Sequence, residues 1–237
     1  MPNIDPEVLA GSLRRLEKTG AGDVLAAVGE VIHAAVDLFQ VTGSGLMIVD
    51  EQQDLHYVAA SNTASKIMEQ VQSRAAEGPC VSAFVHNRPI RTDDLHTERR
   101  WPRVRDTFLQ HGVVAVLGVP VRMGGVPIGT LDLFMDRPYR WQDDEAAALE
   151  RYADLVESTL GAALAAQRAG TLADQLQYAL DYRIVIERAV GYLMARRAAD
   201  AEQAFDELRR TARSQRRKIA EVAQYLLDTG GLPEPRG

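Results

Sequence analysis

Six cations fall within ten residues near the end of this chain. Arg209, Arg210, Arg213, Arg216, Arg217 and Lys218 follow one another with no acid among them. A cationic edge of that density suits phosphate, because each side chain can neutralise one backbone charge of a nucleic acid. The same run also fits a solvated face or an acidic protein partner, and charge alone leaves these open. Arg183 and Arg188 stand upstream and extend the candidate set. Gly191 either lets a helix be approached closely by a ligand or serves helix packing. Catalytic chemistry is much thinner. The histidines, His33, His56, His86, His96 and His111, form no H-E-x-x-H pattern, and there is no glycine-rich phosphate loop or G-x-S-x-G elbow. Cys80, His86 and His96 have the spacing of no common metal site, so neither a catalytic nor a metal-binding set is expected. Asp93-Asp94 reads as turn chemistry. Cys80 follows Gly78-Pro79 at a helix start, where a thiolate is favoured. A redox- or ligand-sensing role and a small buried hydrophobe are both open to it. Phe84 and Trp101 are the aromatic candidates to share a ligand site with it.

The cations need elements to hold them. From Asp181 to Asp228 the apolar residues recur at helical spacing in three runs: Ile186, Ala189, Val190 and Leu193; then Ala201, Ala204, Phe205, Leu208 and Ala212; then Ile219, Val222, Ala223 and Leu226. Asp200, with Gln203 three residues on, marks the second helix start, and Ser214 is a cap for the third. Gly230-Gly231 and Pro233 end it. Short amphipathic helices of this kind are expected to bury their stripes only against one another, as a small bundle.

The rest of the chain changes period. Val24 to Phe39 keeps helical spacing. Gly43 to Ser61 reads as a hairpin around DEQQD, and Ala64 to Ala75 as a helix. A second helical piece starts at Gly78-Pro79, a short strand lies at Arg88–Arg91, and another helix starts at Trp101-Pro102. VVAVLGVPVRM and VPIGTLDLFM flank Gly124-Gly125, a two-residue hairpin turn. Asp143-Asp144-Glu145 opens a long helix with acids at its positive end. This order gives an antiparallel sheet with helices, an α+β domain. A ligand pocket is expected between the sheet and the insertions 64–84 and 99–112.

Charge separates the two parts. The chain has 237 residues and a net charge of −6. Residues 170–237 carry 11 basic and 10 acidic side chains, whereas residues 1–169 carry 16 and 23. A polyanion is therefore expected to meet the C-terminal part. A single cysteine excludes an intrachain disulfide. No apolar run has the length of a membrane span, and Met1–Lys18 lacks the pattern of a secretory signal, so a cytoplasmic protein is expected.

Two resemblances follow from particular residues. RIVIERAVGYLMAR, AFDELRRTAR and KIAEVAQYLL resemble the ANTAR domain, an RNA-binding module of bacterial antiterminators. Many members have Lys before the glycine, where this chain has Val190. EGPCVSAFVHNRPIRTDDL and RWPRVRDTFLQHGVVAVLGVPVRMGGVPIGTLDLF resemble the GAF domain. The implied architecture is an N-terminal arm (1–21), an α+β GAF sensor (22–168), a helical linker (169–180), an all-α three-helix ANTAR bundle (181–230) and a tail (231–237). The resemblance implies a non-enzymatic regulator. Its GAF part senses an unidentified small molecule or redox signal, and its bundle binds RNA hairpins in transcription antitermination. The RNA contacts implied are Arg183, Arg188, Gly191, Arg209, Arg213, Arg216, Arg217 and Lys218. The resemblance also implies a homodimer. Leu149, Ala153, Val156, Leu160 and Ala163, and then Leu172, Ala179, Ile186 and Leu193, have the rhythm of a paired helix. A signalling or dimerisation module without RNA binding is the alternative.

Overall fold

A computed structural model of the chain describes residues 24–50, 53–166 and 171–233. Side chains are described from residue 28, and not between 159 and 181. The expected N-terminal arm and the end of the tail lie outside the described residues.

The sensor is built on one antiparallel sheet. Its strands are β1 (Gly43–Val49), β2 (Leu55–Ala60), β3 (Ile90–Thr92), β4 (Ala115–Met123) and β5 (Val126–Met135), in the order β2-β1-β5-β4-β3. Gly124 and Gly125, at φ +57° and +84°, make the β4–β5 turn, a left-handed pair that side chains resist. One sheet face is covered by α1 (Val24–Phe39) and by α5 (Asp143–Ala166). Ile32 and Ala35 from α1 meet Leu149, Ala153 and Val156 from α5 in that core. Tyr152 lies there too, and its hydroxyl donates to the Val31 carbonyl at 2.8 Å. The first residues of the expected dimer seam are thus interior to one chain. Leu160, Ala163, Leu172 and Ala179 fall among the undescribed side chains.

The opposite face carries α2 (Thr63–Ala75), α3 (Pro79–His86) and α4 (Pro102–Gln110). Asn62 caps α2 by accepting from the Ser65 N–H at 2.9 Å. Where a pocket was expected, Met68, Trp101, Val104, Phe108 and Phe134 pack together as a core.

The bundle comprises α6 (Thr171–Arg197), α7 (Ala201–Gln215) and α8 (Ile219–Thr229). From Thr171 onward the expected linker and the first bundle helix are one helix. Asp200 caps α7 as expected, accepting from the Gln203 N–H at 2.8 Å. Gly230, at φ +74°, ends α8. Ser214 does not cap α8: it lies inside α7 and donates to the Thr211 carbonyl. Arg216 instead takes the left-handed cap of α7 at φ +53°.

The stripes also do not close on themselves alone. The bundle core continues into Met47 and Val49 of β1, Leu55 of β2, and Val81 and Phe84 of α3. Phe205 meets Phe84 edge-on at 6.1 Å between ring centroids. The stripe of α7 is wide enough to serve two neighbours, so the bundle docks on the sensor. Among the described residues no helix is long and apolar enough to cross a membrane.

Candidate nucleic-acid interface and a buried acid–thiol cluster

The nominated cations fall into two groups. Arg183, Arg209 and Arg213 turn toward the sensor. Arg209 keeps only 6% of its side chain exposed, and its guanidinium donates to Asp54 Oδ1 at 2.9 Å and to Asp206 Oδ1 at 3.0 Å. Arg213 bonds the other Asp54 oxygen, with Nε at 3.1 Å. Arg183 donates to Glu187 at 2.9 Å and to Gln53 at 3.3 Å, and stacks its guanidinium 4.7 Å over Phe84. Burial depresses its pKa, and Glu187 opposes that shift. Gln53 and Asp54 belong to the turn between β1 and β2, which Asp50 stiffens by accepting from the Asp54 N–H at 2.9 Å. His86 adds a contact to Glu202 at 3.2 Å.

The second group faces outward. Arg188 and Arg216 are exposed, and Arg217 and Lys218 are half-buried. Arg217 pairs with Glu221 at 3.3 Å and lies 5.9 Å over the Tyr225 ring. These two cations line an open groove of about 580 Å³ with Tyr182, Gln224, Tyr225 and Asp228. Tyr182 and Tyr225 are 43% and 40% exposed, large aromatic faces left toward solvent. Cations interleaved with exposed rings suit single-stranded loops, whose bases stack while phosphates are neutralised. The sequence reading missed both tyrosines, although Tyr182 directly precedes Arg183. Gly191 is exposed, and a Cβ there would meet nothing within 4 Å, so no packing among the described residues requires it. Val190 is partly buried against the bundle core.

The three sensor candidates separate. Trp101 is core and donates its indole N–H to Ser82 Oγ at 2.9 Å. Phe84 faces the bundle. Cys80 sits in a fully buried polar cluster with Glu69, Gln72 and Asp132. The Gln72 amide clamps it: its oxygen accepts from the Cys80 N–H at 2.8 Å, and its nitrogen donates to Sγ at 3.1 Å. The thiol donates to Asp132 Oδ2 at 3.2 Å. Gly45 leaves the room for Glu69, since a Cβ there would stand 1.9 Å from the carboxylate. Burial pushes the Cys80 thiol well up, with Asp132 and Glu69 adding to the shift. The thiolate expected from the helix start is therefore overruled by desolvation and two neighbouring acids. Burial likewise raises Glu69 far above the carboxylate range, and lifts Asp132 to about 6. His86 and His96 are engaged by Glu202 and Asp94, away from this cluster. Asp94 acts in a turn, accepting from the His96 N–H, whereas the Asp93 side chain accepts from the distant Trp141 N–H.

An antiparallel sheet carrying a buried polar cluster is thus followed by a helical bundle with an outward cationic face. The family models agree. A GAF domain matches residues 23–160 and an ANTAR domain matches residues 174–227. The chain belongs to the GAF family and carries an ANTAR domain behind the sensor. Solved structures share the sensor fold. The GAF domain of a phosphoenolpyruvate-protein phosphotransferase from Acinetobacter has a TM-score of 0.55 at 13% identity, over 71% of this chain and 100% of that one. The corresponding domain from Coxiella burnetii gives 0.56 at 14% identity, over 69% and 96%. Free methionine-R-sulfoxide reductase from Neisseria meningitidis, solved with its substrate, gives 0.53 at 17% identity, over 67% and 89%. No curated protein matches the chain.

Proposed function

We propose that this protein is a signal-gated RNA-binding regulator, without catalytic activity, that acts by transcription antitermination. GAF and ANTAR domains together are typically sensory and regulatory. One observation supports gating above all: Asp54 of the sensor occupies Arg209 and Arg213, two cations that RNA phosphates would use. In the docked arrangement RNA meets only the outer set, Arg188, Arg216, Arg217 and Lys218, with Tyr182 and Tyr225 for stacking. Release of the bundle adds Arg209 and Arg213, while Arg183 keeps its Glu187 partner.

The test uses full-length protein and RNA hairpins recovered by crosslinking. Four phosphate contacts to a loop give a log–log salt slope near −3. Asp54→Ala frees two more arginines, so the slope steepens by about 1.4 and affinity rises about tenfold. Adding Arg209→Ala and Arg213→Ala to that variant abolishes the gain. Unchanged affinity in Asp54→Ala removes the gate. Salt-insensitive binding throughout removes the RNA reading.

The dimer expectation moves to another surface. Ile184 is 60% exposed on α6, an apolar side chain outside the chain's own cores. We place the homodimer contact there. Sedimentation at micromolar concentration checks it, with wild type dimeric and Ile184→Asp monomeric. A monomeric wild type leaves the gate to operate within one chain.

A further inference from the structure

Glu69 and Asp132 present a problem that the docked sensor does not solve. Both side chains are fully buried. Among the described residues neither oxygen of Glu69 nor Oδ1 of Asp132 has a well-formed hydrogen bond, although the two carboxyl groups act on one another and the Gly45 N–H favours the Asp132 anion. A buried carboxylate without a partner costs several kcal/mol, and two facing one another cost more. Something positive must stand between them: a proton or a cation.

The surroundings favour a particular cation. Glu69, Cys80 and Asp132 each offer one donor atom, and these atoms lie within 4.8 Å of one another. Bonds of about 2.0–2.3 Å to a common ion need the donors to close to roughly 3–4 Å, which side-chain rotation can provide. The spacing between Cys80 Sγ and Asp132 Oδ2, 3.2 Å, already meets this. Gln72 is not a ligand, since its oxygen is committed to the Cys80 N–H. It is an outer-sphere partner. Its N–H on Sγ holds the sulfur toward the acids and stabilises the anionic form. Gly45 supplies the space in which the Glu69 carboxylate can turn.

We propose that Glu69, Cys80 and Asp132 form a binding site for one divalent transition-metal ion of borderline softness. This inference rests on the sensor half of the function given above and not on RNA binding. One thiolate and two carboxylates exclude magnesium and calcium, which take oxygen alone, and suit zinc, iron(II) or cobalt(II). Three protein donors leave a position open for water or a signal molecule. The charge balance is favourable. Without metal, the cluster holds a neutral thiol and two carboxyl groups that share one proton, so its net charge is −1. Binding expels the thiol proton and the shared proton to solvent and brings in two positive charges. Two protons leave, one dication enters, and the buried charge stays at −1.

The test titrates cobalt(II) into chelator-treated, full-length protein. Cobalt–thiolate bonding gives a near-ultraviolet charge-transfer band, and the intensity of the visible bands reports coordination number. Cys80 is the sole cysteine, so a stoichiometric band belongs to it without any variant. The expected result is saturation at one equivalent, release of two protons, and displacement of cobalt by zinc. Glu69→Gln should weaken binding at least tenfold, with circular dichroism confirming the fold. Absence of a charge-transfer band from folded wild type overturns the site and leaves a shared proton as the occupant. A band of full strength and equal affinity in Glu69→Gln overturns the proposed donor set. Neither result touches the RNA measurements, which need no metal.

Discussion

Two buried charge clusters adjoin α3, and they are solved in opposite ways. At the bundle contact Arg209 is enclosed but ion-paired, with Asp54 on one side and Asp206 on the other, and only its Nε lacks a partner. Inside the sensor Glu69 is enclosed and meets only another acid and a thiol. The first arrangement balances itself within the protein. The second is complete only when something enters. A buried pair that closes on itself is a contact that can be opened; a buried set that does not close is a seat for an occupant.

Removing one acid from each cluster should therefore give opposite signs. Asp54→Ala has the larger effect. It leaves Arg209 buried without its partner, at a cost of about 3–5 kcal/mol if the bundle stays docked. The bundle is expected to release instead. Hydrogen exchange should accelerate in Leu55–Ala60 and Ala201–Gln215 while β4 and β5 stay protected. Unaltered protection would mean that apolar contacts such as Phe84–Phe205 hold the docked state.

Glu69→Gln should act the other way on the metal-free protein. The amide can donate to Asp132, and the like-charge conflict is gone. Urea denaturation should show a gain of about 1–3 kcal/mol. A loss of stability would show that Glu69 is already satisfied, and the contrast between the clusters would fail.

The outer cations sharpen the comparison from the solvent side. Arg216→Gly with Arg217→Ala should weaken RNA binding about tenfold and flatten the salt slope by about 1.4. Folding stability should move by no more than about 0.5 kcal/mol. Glycine relieves the positive φ of Arg216, which favours the fold. Equal RNA binding by this variant and wild type would make the groove a solvated face.

The smallest effect concerns the turn that carries Asp54. His56 donates to Asp50 at 2.8 Å, and that bond raises its pKa above 6.5, with burial opposing. A raised folded value means that the stabilisation is complete below pH 6.5. It fades as pH rises through the folded pKa. The stability gap between wild type and His56→Gln should shrink over that window. The ring is 56% exposed, so the gap is a few tenths of a kcal/mol at most. A gap that stays constant with pH would assign it to packing.

Local pattern made much of the fold legible before any coordinates. The glycine pair between β4 and β5, the Asp200 cap and the three bundle stripes are short-range signals, and the structure carries each one. What escaped was long-range or disguised. Asp54 and Arg209 are 155 residues apart, and nothing in either neighbourhood names the other. Helix α2 hid its inner face for a different reason. Its buried residues, Ser65, Met68, Glu69 and Gln72, keep helical spacing but are mostly polar. No apolar stripe marks that face, so hydrophobic period alone does not reveal it. A polar stripe at helical period, followed by Gly-Pro-Cys, was the available signal. Ser214 misled because a hydroxyl near a helix junction fits either side of it.

Helix α3 is only eight residues long, and it is pinned at its start, where the Ser82 N–H bonds the Gly78 carbonyl at 2.9 Å. Cys80 and Phe84 lie four residues apart on it, one above the other along the same face. The first reaches the acids and the second reaches Phe205 and Arg183. So short a hydrogen-bonded rod in a close-packed interior has no slack to absorb a shift at one end. An ion that drew the sulfur inward would pull on the ring one turn further on, because the acid cluster and the docking contact are two ends of a single turn of backbone.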